Sequence, residues 1–194
     1  MARACSSASK HPSLYSDIPV LVINMGNVST PETLALRWAQ IVADPALRDL
    51  PYKVELNLWG KVEMTPASFW HGRLQAALTA QLAQQLAHGE ALTEVPLLTD
   101  IGVRVPDVAW ASRQYLDANQ DASPAPRAPE ICIEIISSSN TSDEIEEKTR
   151  AYLAAGAHEV WIVEETGEMR FYDAGGRQPG SSYPVAIRLP QRAS

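Results

Sequence analysis

The sequence has no uninterrupted apolar run of about 18 residues, so no segment reads as a membrane span. Cysteine is scarce: Cys5 and Cys132 are the only two, and there is neither a C-x-x-C nor a Cys/His cluster. That excludes a disulfide framework and a zinc site, and it fits a reducing cytoplasm. Positive charge is short as well, with 16 Lys and Arg against 23 Asp and Glu and a net charge of −7. A broad basic footprint for nucleic acid is therefore missing. Any such contact has to come from a local patch, from metal ions or from a dimer groove. Residues 1–16 are polar and Ser-rich without an apolar h-region, which argues against a secretory signal and for a disordered tail.

What is present suits a globular chain. At 194 residues, 45% hydrophobic and 20% charged, it can bury a substantial core as one domain. We expect that domain over 17–175, with its core at 52–172, and a mostly irregular tail over 176–194.

Thr30-Pro31-Glu32 has the composition of a helix start, and Leu34, Trp38, Ile41 and Val42 recur at helical spacing until Asp44-Pro45. Residues 54–59 alternate, turn at Gly60-Lys61 and return at 62–64, which predicts a hairpin. Leu74, Leu78, Leu82 and Leu86 form one face of a helix over about 66–87. Two strands follow, at 92–99 and 104–110, then a Pro-rich loop over 117–129. A strand at 131–136 leads to a helix whose Thr141 and Glu144 have capping-box spacing and which Gly156 can close. Strands at 160–163 and 169–172 complete the core, with one more short strand at 185–189. This order predicts a mixed sheet flanked by helices, an α/β or α+β fold.

Two acids interrupt apolar strands: Asp107 in Val105-Pro106-Asp107-Val108, and Glu134 in Ile131-Cys132-Ile133-Glu134-Ile135-Ile136. A carboxylate in such a setting is costly unless something pairs with it. Neighbouring strands lie about 4.8 Å apart, so two such acids can converge on one ion. Mg²⁺ takes oxygen ligands at about 2.1 Å and commonly only one or two protein carboxylates. Asp107 and Glu134 are therefore candidate metal ligands, and with a lysine nearby they point to metal-dependent chemistry on phosphate. Strand alternation puts Ile136, not a lysine, on the face of Glu134. Lys148, two turns into the following helix, can reach back to Glu134; it can equally pair with Glu144 at i,i+4. The groups of residues 137–140 suit a helix start, with a phosphate as a second use.

The order Arg-Val-Pro-Asp-Val (104–108), Pro-Glu-Ile-Cys-Ile-Glu-Ile-Ile-Ser-Ser-Ser-Asn (129–140), Lys148, Tyr152, Ala155-Gly156 and Glu-Val-Trp-Ile-Val (159–163) resembles the bacterial Uma2 family. Val-Glu-Leu (54–56), Gly60, Met-Thr-Pro (64–66) and His71 match more loosely, and Lys61 stands where that family has Glu. The resemblance runs from about residue 52 to 172. It implies a PD-(D/E)XK restriction-endonuclease-like fold and a triad of Asp107, Glu134 and Lys148, the lysine having moved from strand to helix. It further implies Mg²⁺, with Mn²⁺ as a substitute, held by Asp107 and Glu134, and DNA as substrate; a homodimer is compatible with it.

Glu55, His71 and Tyr152 are secondary candidates. Glu55 alternates with apolar neighbours and is expected to face solvent. His71, beside Trp70, has the setting of a packing histidine. Tyr152, one turn beyond Lys148, can buttress it or belong to the core with Trp161. Two functions follow: an Mg²⁺-dependent endonuclease that hydrolyses DNA, or a catalytically silent protein of the same fold with a binding or regulatory role.

Overall fold

Helix-start chemistry places the first described element. In the computed structural model, which describes residues 28–192 except 49 and 67, Thr30 caps helix α1 (Pro31–Ala43) by accepting from the Thr33 N–H. The expected tail at 1–16, with Cys5, lies outside the described residues. Leu34, Trp38 and Ile41 of α1 are buried, whereas Val42 points outward. A short helix α2 (Pro45–Arg48) follows.

The predicted hairpin forms as β1 (Tyr52–Asn57) and β2 (Val62–Pro66), antiparallel, with Gly60 at φ 71 in the turn. Helix α3 (Phe69–Gln85) begins at Ser68, whose hydroxyl accepts from the His71 N–H. Pro66, expected to lie within that helix, ends β2 instead.

The expected strands at 92–99 and 104–110 are each split. The first becomes β3 (Gly89–Thr93) and β4 (Leu97–Thr99), the second β5 (Gly102–Arg104) and β6 (Val108–Ser112). Glu94 has a positive φ of 54, and Pro96 and Pro106 cannot donate to a ladder, so the chain leaves one sheet and enters another at both points. Helix α4 (Arg113–Asn119) then takes up residues 117–119, the beginning of the expected loop: Ser112 caps it by accepting from the Tyr115 N–H.

β7 (Ile131–Ile136), α5 (Ser142–Ala154), β8 (Glu159–Glu164) and β9 (Met169–Asp173) match the sequence expectation, and β10 (Gly176–Gln178) extends it. The capping box at Thr141 and Glu144 is formed in both directions. Residues 185–189 form no strand. Their backbone is taken by side chains of α3: Gln85 bonds Ala186 and Gln81 bonds Arg188, each at both N–H and C=O.

The fold is mixed α/β, with two sheets flanked by helices. One sheet runs β2-β1-β5-β4, the other β10-β9-β8-β7-β6-β3, with β7 and β8 parallel. Strand β7 is buried throughout, and period two sorts its sides. Ile131, Ile133 and Ile135 pack on the leucines of α3, a face where each fully buried Leu is worth about 1.5–3 kcal/mol. Cys132 and Ile136 pack with Tyr152 of α5 on the other side, and Glu134 must face that side too.

Candidate functional site

Asp107 sits in the break between β5 and β6, where the chain crosses from one sheet to the other. It is 1% exposed. Its Oδ2 accepts from the Ile135 N–H of β7 at 2.7 Å, which ties the crossing to the strand that carries Glu134. Glu134 is buried beneath α5, where Tyr152 OH donates to its Oε1 at 2.5 Å.

Lys148 and Tyr152 are four apart on α5 and share a face. The capping box fixes the start of that helix and consumes the Glu144 carboxylate on Thr141. Lys148 is thereby aimed inward: its Nζ lies 3.3 Å from Glu134 Oε1 and 2.9 Å from Glu55 Oε2. Of the two arrangements open to it from spacing, the reach to Glu134 is the one that forms.

Glu55 does not face solvent as its neighbours suggested. It is buried: its Oε1 accepts from the Val105 N–H at 2.8 Å and Lys148 of α5 lies against its Oε2. Arg104 lies 3.6 Å from its other oxygen and bonds Glu63 at 2.5 Å. His71, on the first turn of α3, is not merely a packing residue: its Nε2 is 3.3 Å from Asp107 Oδ1.

Sequence reasoning missed Lys53. It lies two residues before Glu55 on β1, hence on the same face. Its Nζ is 2.6 Å from Asp107 Oδ1 and 3.3 Å from Glu134 Oε2. Once Glu55 is known to point inward, strand alternation alone identifies Lys53; from the sequence, nothing marked which face of β1 was buried.

The electrostatics follow from this packing. Burial opposes ionisation of Asp107, but the Lys53 ammonium and the hydrogen bond from His71 outweigh it and hold the carboxyl down at about 2. Burial likewise opposes the charge on Glu55, and Lys148, Lys53 and the Val105 N–H overcome it to lower its value. Burial would neutralise Lys53, yet Glu134, Asp107 and Glu55 together push its value up. His71 is raised by its hydrogen bond to Asp107, against burial. Burial, then the charges of Glu134 and Glu55, drive the Tyr152 hydroxyl well above its usual range, so it remains a donor. Three cations (Lys53, Arg104, Lys148) thus face three buried carboxylates (Glu55, Asp107, Glu134) and the exposed Glu63.

Among the described residues, no three His, Cys, Asp or Glu side chains gather as a ready metal-binding group. The donor set that does converge is two hard oxygens, Asp107 Oδ1 and Glu134 Oε2, directed at one cationic point that Lys53 Nζ marks. That set suits Mg²⁺, which keeps waters on its remaining positions. The Ser137 hydroxyl bonds Ser139 and the Ser137 N–H bonds Asn140, so this turn satisfies itself. No helix of the described residues is long and apolar enough to cross a membrane.

A search of curated proteins gives no match. Among solved structures, the chain is similar to one described as "a putative nuclease belonging to DUF820 from Anabaena variabilis". The TM-score is 0.51 at 17% identity, over 69% of this chain and 81% of that one, and the likeness is one of fold. The profile of the Uma2 family, described as "Putative restriction endonuclease", matches residues 44–179, a span that contains every residue of the cluster. With the triad resemblance and the two-sheet fold behind it, that match establishes that the chain belongs to the Uma2 family.

Proposed function

We propose that the protein is a divalent-metal-dependent nuclease that hydrolyses DNA phosphodiester bonds. The observation that carries this reading is the convergence of Asp107 Oδ1 and Glu134 Oε2 on one cationic point, with Lys148 Nζ against the other oxygen of Glu134. Membership of a family described as "Putative restriction endonuclease" supports it.

Asp107 Oδ1 and Glu134 Oε2 would hold Mg²⁺, or Mn²⁺ in its place. Such an ion lowers the pKa of a bound water and neutralises charge at the phosphoryl oxygens. Lys148, held between Glu55 and Glu134, is a mobile point charge that orients the attacking water or stabilises the charge of the transition state. Tyr152 fixes Glu134 by donating to the oxygen that faces α5, which leaves the other oxygen for the ion. His71 steadies Asp107 from the start of α3.

The test is cleavage of a supercoiled plasmid and of duplex oligonucleotides with Mg²⁺ or Mn²⁺ added. Asp107→Ala and Glu134→Ala are expected to abolish metal-stimulated cleavage while circular dichroism stays native. Cleavage that persists in either variant removes the mechanism.

One observation favours the silent binding or regulatory reading instead. The carboxylates of the cluster already have intramolecular cationic partners. Calorimetric titration with Mn²⁺ separates the two, since the silent protein gives no heat above background.

A further inference from the structure

Lys53 occupies the very point at which the two ion-holding carboxylates aim. The second oxygen of each acid is engaged elsewhere: Asp107 Oδ2 accepts from the Ile135 N–H, and Glu134 Oε1 accepts from Tyr152 and Lys148. Asp107 Oδ1 and Glu134 Oε2 face the point that an incoming ion would take; both are bonded to the Lys53 ammonium, and His71 Nε2 lies 3.3 Å from Asp107 Oδ1 as well. An ammonium and a divalent cation cannot share two oxygens at contact distance, because their like charges would lie within a few ångströms of each other in a buried site.

We propose that Lys53 is a resident counter-cation that a divalent ion must displace to enter, so that metal affinity is set by competition with the chain's own ammonium. This rests on the metal-dependent reading above. The strand need not move for it to happen. β1 is hydrogen-bonded to β2 and β5, so displacement is a rotation of the four-carbon stem alone. Lys53 also borders a cavity of about 250 Å³, lined chiefly by apolar side chains such as Trp38, Ile41, Leu47 and Val105, which gives the stem room. The charge balance points the same way: with Glu63, which bonds Arg104, four carboxylates face three cations, and a divalent ion added to that set leaves a surplus positive charge. A phosphodiester anion is then the natural companion of the ion, and the displaced ammonium remains tethered beside it.

The experiment titrates MnCl₂ into the full chain by calorimetry, for the wild type, Lys53→Met, Lys53→Gln and, as the site control, Asp107→Ala. Melting temperatures with and without Mn²⁺ accompany it. Both Lys53 variants are expected to bind Mn²⁺ at least about tenfold tighter than the wild type, and to gain more thermal stability from it. Lys53→Met takes one cation from two buried carboxylates, leaving Lys148 on Glu134 and His71 on Asp107, and so weakens the metal-free fold; Lys53→Gln keeps a hydrogen-bond donor without the charge. Variants that fold only when Mn²⁺ is present support the competition. Binding equal to or weaker than wild type in both variants overturns it, and leaves the metal reading standing if Asp107→Ala loses the heat. Variants that fold neither with nor without Mn²⁺ overturn it too, since Lys53 would then be a structural ion-pair partner. An absence of heat in every protein, the wild type included, removes the metal-dependent reading itself.

Discussion

Replacing Asp107 by Asn should change the way stability depends on pH, by an amount that the fold fixes. Asp107 is 1% exposed, and its carboxyl lies at about 2 in the folded chain against an ordinary 3.8. A folded value below the unfolded one means that the ionised group adds stability at pH above about 4, and that this contribution is lost as pH falls through the folded value. The gap is worth roughly 2 kcal/mol, most of it gone by about pH 2. The cause is the set of contacts made by one carboxylate: burial works against its charge, while Lys53 and His71 prevail over burial. Urea unfolding of the wild type and Asp107→Asn at steps between pH 7 and pH 2 measures this directly. The stability difference between them is expected to shift by roughly 2 kcal/mol, against the wild type, between about pH 5 and pH 2, apart from any change at higher pH where His71, raised by Asp107, titrates. A difference that stays flat over that range would refute the argument that Asp107 is buried, ionised and held by cations.

Two further substitutions probe neighbouring parts of the structure. Tyr152→Phe removes a buried donor to a carboxylate and is expected to cost about 1.5–3 kcal/mol, read as a fall of several degrees in melting temperature; an unchanged melting curve would mean that Glu134 does not rely on that hydroxyl. Gly102→Ala sets a Cβ 2.0 Å from the Leu56 carbonyl oxygen at φ +125, so the β1–β5 pairing must open, and a loss of several kcal/mol in urea unfolding is expected. A near-neutral Gly102→Ala would show that the sheet carrying Lys53 and Glu55 is not paired as described.

By itself the sequence determined the elements whose causes are local. Thr30 and Thr141 marked helix starts because a hydroxyl three residues from an unpaired N–H is enough to cap it. The leucines of α3 and the apolar run of β7 declared themselves by periodicity, and Asp107 and Glu134 stood out because an acid inside an apolar run needs a reason. The tertiary structure decided what depends on partners distant in the chain. Whether Glu55 faces in or out, and therefore whether Lys53 does, depends on the Val105 backbone and α5 packing on that face of β1 from far along the chain. Whether Lys148 meets Glu144 or Glu134 depends on how α5 lies over β7, and whether residues 185–189 pair as a strand depends on Gln81 and Gln85 reaching their backbone first. Local hydrogen bonds and alternation can be read along a chain; the face that becomes interior, and the charges that meet there, are settled only when the two sheets come together at the Asp107 crossing.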